Sequence, residues 1–382
     1  MARRVFVHIG LPKTGTTYLQ TIVWDNRDRL REVGLLVPGD ERRDHLWASL
    51  VVREDPHAGR RNPKAPSAWD RLRAEIEQWD GDALVSHEFF CSASEEQARA
   101  AVAALAPAEV HVVATAREPL GLFTASWQES VKNKGTTRIQ DYGRSESRRP
   151  LDIWDWRALD LGLVLERWGE AVPPERVHVL PLPAPGSPRE LLWERFAGLL
   201  GVPADAVDLS GNFPNESMGV AETETLRRVN EVLEGFDTAF DRGVWIRSYL
   251  ADERLVPRRG ERYWPGDDQI EDCRRRGQRA LDLVRSRGFD LIGEADQLLV
   301  PDDLPERRHP DSVTDGEVAQ VAVETIAVML ADVRRLTKRN KRLERLAHRR
   351  GTAGRLVGRG GAARSRVRRL LGRLLGRLPG RR

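Results

Sequence analysis

The sequence predicts an α/β protein in which a parallel β-sheet is flanked by helices. Four short Val-rich runs carry most of that expectation: Arg4–Ile9, Asp82–Ser86, Glu109–Thr115 and Arg176–Leu180. Their centres are almost continuously apolar and do not alternate, as expected of strands covered on both faces. Helical patterns lie between the runs, and strands alternating with helices argue for a parallel sheet. At 382 residues the chain is long enough for one large domain with appendages.

The first strand runs through Gly10–Thr17 into a helix over Thr16–Arg31. Helices over Ser67–Trp79 and Ser94–Leu105 bracket the second strand. Leu120–Lys132 follows the third strand, and Ala158–Ala171 precedes the fourth. Two stretches read as loops. Arg53–Pro66 is rich in Pro, Arg and His, and Lys132–Pro150 is polar with Gly135 and Gly143. Long loops in compact domains often form lids or binding loops, and the second is the better lid. From about residue 215 to about 290 the chain reads as mostly helical. A long helix is expected over 315–350, a break at Gly351–Gly361, and then an amphipathic segment over Arg364–Leu378. In that segment Val367, Leu370, Leu371, Leu374, Leu375 and Leu378 share one face and arginines occupy the other. This division gives a catalytic domain over 1–300, a C-terminal helix over 315–350 and a flexible basic tail over 351–382.

Charge is distributed unevenly. Residues 334–382 carry 19 Lys/Arg and a single acid, Glu344, so that a total of +4 leaves residues 1–333 at −14. The basic character belongs to the tail, and nucleic acid is not expected as a partner. The tail suits an anionic membrane surface or an acidic protein. Cys91 and Cys273 are the only cysteines, which implies no disulfide framework and a cytoplasmic protein, at most peripheral at a membrane. No run approaches the roughly 18–20 apolar residues of a membrane span. The run Val5–Leu11 reads as a buried strand rather than a signal peptide.

The chemistry is concentrated first in Gly10-Leu11-Pro12-Lys13-Thr14-Gly15-Thr16-Thr17. Glycines let backbone N–H groups turn inward, and the helix that follows offers its N-terminal N–H groups and dipole to an anion. The spacing Gly10 to Gly15 matches a nucleoside-triphosphate loop, but Thr16 stands where that loop has its lysine. The lysine is three residues earlier, at Lys13, and no Asp that would hold Mg²⁺ is evident after a later strand. Both departures weigh against a kinase.

Pro12-Lys13-Thr14-Gly15-Thr16-Thr17 resembles the first signature of the sulfotransferases that use 3′-phosphoadenylyl sulfate (PAPS). The run Val5–Gly10 before it is similar to that of bacterial members. This resemblance covers residues 4–235 and implies a P-loop-like fold. It assigns the donor's 5′-phosphosulfate to Lys13, Thr14, Gly15, Thr16 and Thr17, with Lys13 stabilising the leaving phosphate oxygen. It also implies that no metal is needed. The family's second signature is a strand ending in Arg and a helix bearing Ser about eight residues on. Here the strand ends at Arg117, where an Arg fork suits the donor's 3′-phosphate. Eight residues on stands Ala125, with Ser126 next to it and Thr124 before it, so Ser126 is taken as the serine. The run Trp127–Lys132 looks like that of an actinobacterial group.

Transfer to a hydroxyl or amine needs a general base opposite the donor phosphate. The second strand ends in Ser86-His87-Glu88. Family members use either a His or a Glu here. In an extended chain adjacent side chains face opposite ways, so one of the two faces the acceptor. His87 has the better ordinary pKa, and Glu88 follows closely. His8 reads as a satisfied core histidine. Tyr18, Trp24, Trp127 and Phe213 are the aromatics available to adenine. The stretch Asn212–Gly219 reads as a helix cap. The expected acceptor is a small molecule, a carbohydrate or a lipid. A nucleotide-dependent kinase and a non-catalytic donor-binding scaffold are the competing readings.

Overall fold

A computed structural model describes residues 1–211 and 217–375, with side chains up to residue 346. The chain divides into two units, Met1–Val318 and Ala319 onward. The first unit is built on six strands: β1 (Arg4–Gly10), β2 (Leu35–Leu36), β3 (Asp82–Ser86), β4 (Glu109–Ala116), β5 (Val177–Pro181) and β6 (Asp290–Leu291). All pair in parallel, in the spatial order β2-β3-β1-β4-β5-β6. The four expected strands match to within one residue at each end.

β1 lies between β3 and β4, and its residues Val5–Gly10 are all buried. This is why its sequence is continuously apolar: both faces are covered by helices. On one face Phe6, Leu84, Val113 and Leu180 pack against Leu19, Ile22 and Val23 of the helix Thr16–Asp25. Trp193 and Phe196 of the helix Leu191–Leu200 complete that core. The outer strands β2 and β6 have two residues each. β6 is joined to β5 by a side-chain bond as well, His178 Nδ1 to Asp290 Oδ2 at 2.7 Å.

Several helices differ from expectation for identifiable reasons. The helix expected over Thr16–Arg31 is two, Thr16–Asp25 and Arg27–Glu32. The break is at Asn26, whose Nδ2 donates to the carbonyls of Ile22 at 2.9 Å and Asp208 at 3.1 Å. Ala158–Ala171 likewise becomes Trp156–Leu159 and Leu161–Trp168. Asp160 caps the second of these through the Leu163 N–H, and its other oxygen takes Arg276 Nη1 at 2.6 Å. Arg53–Pro66 contains the short helix Ala58–Arg61. Lys132–Pro150 is largely irregular, but it is anchored. Ile139 and Tyr142 are buried, and Gln269 Nε2 donates to the carbonyls of both. Such fixing is unlike a free lid.

The helix expected over 315–350 extends as one helix from Asp315 to Leu375. Gly351–Gly361 does not interrupt it. Each glycine costs about 1 kcal/mol relative to alanine, and here Arg, Leu and Ala, all strong helix formers, flank them. Residues 376–382 of the basic tail lie outside the described residues. Among the described residues no helix is long and apolar enough to cross a membrane.

Candidate active site

The loop after β1 is shaped by three left-handed residues, Gly10 (φ 78°), Lys13 (φ 64°) and Gly15 (φ 80°). Gly10 is required twice over. A Cβ there would lie 2.5 Å from Glu88 Cβ and 2.6 Å from Glu88 Cα. Its missing side chain therefore lets the segment after β3 press directly against the loop. Beyond Gly15 the helix Thr16–Asp25 starts, and the first-turn N–H groups of a helix have no acceptor within it. Such N–H groups, with the dipole behind them, suit an anion. Thr17 is exposed on this first turn, whereas Thr16 is buried.

A line of hydrogen bonds fixes the loop to the sheet. Thr14 Oγ1 donates to the Leu11 carbonyl at 2.5 Å and lies 2.7 Å from Thr115 Oγ1. Thr115 Oγ1 lies 3.2 Å from His8 Nε2, and His8 Nδ1 lies 2.8 Å from Ser86 Oγ. One assignment satisfies every member. Ser86 donates to His8 Nδ1, His8 Nε2–H donates to Thr115, Thr115 donates to Thr14, and Thr14 donates to the carbonyl. It requires neutral His8, and burial lowers that imidazole to about 4. His8 is thus a satisfied core histidine. Thr14, assigned to the donor by resemblance, instead spends its hydroxyl beneath the loop.

Lys13 reaches across to the helix Pro119–Lys132, where its Nζ donates to Glu129 Oε2 at 2.9 Å. Arg247 pairs with the same carboxylate. Burial pushes the Glu129 carboxyl up, but Lys13 and Arg247 more than offset this and hold it below its ordinary range. Arg247 comes from Arg242–Leu255, a 14-residue π-helical segment, and π geometry is rare and concentrated at functional sites. Two further ion pairs tie this region to the same helix end: Lys132 with Asp252 and Lys134 with Asp237, both at 2.6 Å.

Arg117 follows β4 at the same sheet edge as the loop, because Leu11 N–H donates to the Thr115 carbonyl at 2.8 Å. Its guanidinium lies over Gly121, where a Cβ would be 2.8 Å from Nε. Burial lowers the Arg117 pKa; Glu118 opposes this and Arg262 adds to it. Burial lowers Arg307 too, and the nearby charges of Arg262 and Arg117 lower it further. The charges of Arg117, Arg262 and Arg307 thus act on one another. Arg262 Nη1 donates to Ser217 Oγ, and Arg307 lies 3.8 Å above the Trp264 ring. Glu118 sits among them and caps the helix, accepting from the N–H groups of Leu120 at 2.8 Å and Gly121 at 2.6 Å. Burial raises its carboxyl to about 7 against the pull of Arg117.

Ser126 does not join this cluster. It is fully buried, its Oγ is 2.5 Å from Tyr142 Oη, and Tyr142 Oη donates on to the Trp154 carbonyl. Five residues beyond Gly121, it is about 140° round the helix from the face under Arg117. Among the aromatics, Trp127 is buried with its Nε1 on the Thr137 carbonyl. Trp24 packs edge-on against His45, Tyr18 is partly buried, and Phe213 lies outside the described residues. So do residues 212–216 of the expected cap. Ser217 takes Arg262 rather than capping, and the helix Val220–Val232 starts at Gly219 without a side-chain cap.

His87 and Glu88 diverge, as extended backbone dictates; His87 has φ −157° and ψ 133°. Glu88 points to the helix behind the loop and accepts from Gln20 Nε2 at 3.0 Å; Arg42 Nη2 in turn donates to Gln20 Oε1 at 2.7 Å. Burial raises the Glu88 carboxyl, but His87, Gln20 and Arg42 hold it below its ordinary value. His87 accepts the Phe89 N–H on Nδ1 at 3.1 Å and packs edge-on against the Phe89 ring. A neutral ring that accepts at Nδ1 carries its proton on Nε2, and burial lowers this imidazole. Its free nitrogen is therefore a donor in this arrangement. The segment Glu88–Ser92 is held by arginines on its backbone: Arg157 Nε on the Ser92 carbonyl at 2.9 Å, and Arg167 Nη2 on that of Cys91 at 3.0 Å.

The sequence pointed to Lys13, Arg117, His87 and Glu88, with His87 ahead of Glu88, but to no role for Gln20, Arg42, Glu129, Arg247, Arg262 and Arg307. The four arginines among them stand in no motif, and Gln20 and Glu129 are single positions of ordinary helical patterns. Comparison with protein-family models, with curated proteins and with solved structures finds no match.

Proposed function

We propose that this chain is a sulfotransferase of P-loop-like fold. It moves a sulfuryl group from 3′-phosphoadenylyl sulfate to a hydroxyl or amine of a small-molecule, carbohydrate or lipid acceptor. One observation carries the reading: two separate cationic anchors stand at one edge of the sheet. The loop Gly10–Thr17 with Lys13 suits the 5′-phosphosulfate, and Arg117 with Arg262 and Arg307 suits the 3′-phosphate. A donor phosphorylated at both ends needs two such places.

In this reading Lys13 exchanges the Glu129 carboxylate for the oxygen that bridges phosphorus and sulfur. The acceptor oxygen attacks sulfur in line, and its proton passes to the Glu88 carboxylate. The bond from sulfur to the bridging oxygen breaks, leaving adenosine 3′,5′-bisphosphate with its new charge facing Lys13. Glu88 is preferred to His87 because its backbone packs on the loop at Gly10 and its carboxyl is held ionised, whereas Nε2 of His87 holds a proton. The scaffold reading draws support from Ser126 facing the interior and predicts binding without turnover.

Calorimetric titration with adenosine 3′,5′-bisphosphate and with ATP·Mg tests the proposal. Wild type is expected to bind the bisphosphate in preference. Lys13→Ala and Arg117→Ala are each expected to weaken binding about 10- to 100-fold, the worth of a charged hydrogen bond. Failure of the wild type to bind the bisphosphate overturns the reading. Transfer of radiolabelled sulfate to a panel of sugars, lipids and phenols then separates enzyme from scaffold.

A further inference from the structure

The second unit carries a seam of its own. Over residues 319–346 the helix shows apolar residues at alternating spacings of three and four, four heptads in all. Ile326 and Val333 occupy the first position of their heptads (a), and Met329, Leu336 and Leu343 the fourth (d). These five side chains are between 36% and 58% exposed, far more than residues of their kind are in a finished core. The buried residues of this helix, Val321, Thr325 and Asp332, fall on a different face, at the c and g positions.

We infer that this seam pairs with the same seam of a second copy of the chain, as a parallel two-stranded coiled coil. Three features choose that partner. β-Branched residues at a with Leu at d favour two parallel strands. The next a position is Asn340, and a lone Asn at a fixes register and strand number because it is satisfied best by its own counterpart. Arg339 and Glu344 occupy g and the following e, the spacing at which opposite charges meet across a parallel in-register pair. The remaining Lys and Arg residues of 334–345 fall at b, c and f, pointing outward. A lipid surface would use the apolar residues but give no role to Asn340 or to the Arg339 and Glu344 spacing.

The full-length chain at low micromolar concentration, measured by light scattering, is expected to have twice the chain mass of 43.2 kDa. Ile326→Asp with Leu336→Asp is expected to return it to the single-chain mass with unchanged near-UV circular dichroism. Val333→Cys is expected to form an interchain disulfide under mild oxidation, since Cys91 and Cys273 are buried and a parallel in-register pair brings the two a positions together. A wild type of single-chain mass overturns the inference. So does a dimer that survives the double substitution, a Val333→Cys dimer that does not cross-link, or a monomer that co-floats with anionic vesicles through these residues.

Discussion

The smallest decisive feature is the hydrogen atom that serves as the side chain of Gly10. A methyl group there would collide with Glu88 and strain the left-handed backbone. Gly10→Ala is expected to lower the melting temperature by several degrees and to weaken bisphosphate binding more than tenfold, read by calorimetry at a temperature where the variant is folded. Glu129 acts in the opposite sense. It holds Lys13 on its own carboxylate, so Glu129→Gln is expected to tighten bisphosphate binding a few-fold in the same titration, because no carboxylate then competes with the phosphate. A tighter wild type would show that Glu129 positions Lys13 for its ligand. Lys13, Arg117 and Glu88 were legible because each sits at the end of a strand in a local pattern. Gln20 and Arg42 were not, since their role is to orient Glu88 from helices that a linear pattern does not bring near it.

At the scale of elements, the helix Pro119–Lys132 touches both of the proposed anchors. Its start lies under Arg117 and is capped by Glu118, and its last turns hold Glu129. Glu118 titrates near 7, so below that pH it is protonated and the three arginines act unopposed, while above it a carboxylate opposes an incoming phosphate. Glu118→Gln keeps a capping oxygen and removes that charge. Bisphosphate affinity of the variant relative to wild type is expected to be near one below pH 7 and to rise about tenfold above it, as for one added charge in a partly buried site. A constant ratio across pH would remove Glu118 from the site. The four long strands could be read because burial on both faces makes them uniformly apolar. β2 and β6 could not, since two residues carry no period. The π-helical segment has no pattern of its own, and the charges of Arg262 and Arg307 act on Arg117 only through folding of distant chain.

At the scale of the molecule, the sheet depends on histidines that must stay neutral. Burial lowers both His8 and His45 to about 4, although hydrogen bonds to the backbone of Pro38 and Ser86 partly oppose this at His45. Their folded values lie below the unfolded one, so the unfolded chain binds more protons between about 6.5 and 4. The stability they contribute is full above that interval and falls by about 1.4 kcal/mol per pH unit per histidine as the pH descends through it. Urea unfolding across the interval is expected to show that slope, and His8→Ala to reduce it. His8→Ala also strands Ser86 and Thr115 without their partner, at a cost of about 1–3 kcal/mol at neutral pH.

The order of the strands has a kinetic consequence. β1 precedes the other five strands in the chain yet lies inside the sheet, and its partners are distant: Arg4 pairs with Asp82 of β3, 78 residues later, and with Glu109 of β4. At about 5–20 residues per second, synthesis leaves the apolar run Val5–Ile9 without its second neighbour for roughly 5–20 seconds. During that time its two bare edges are open to pairing with another nascent chain. The strand that carries the loop Gly10–Thr17 is therefore the inner strand whose two apolar edges both wait for later chain.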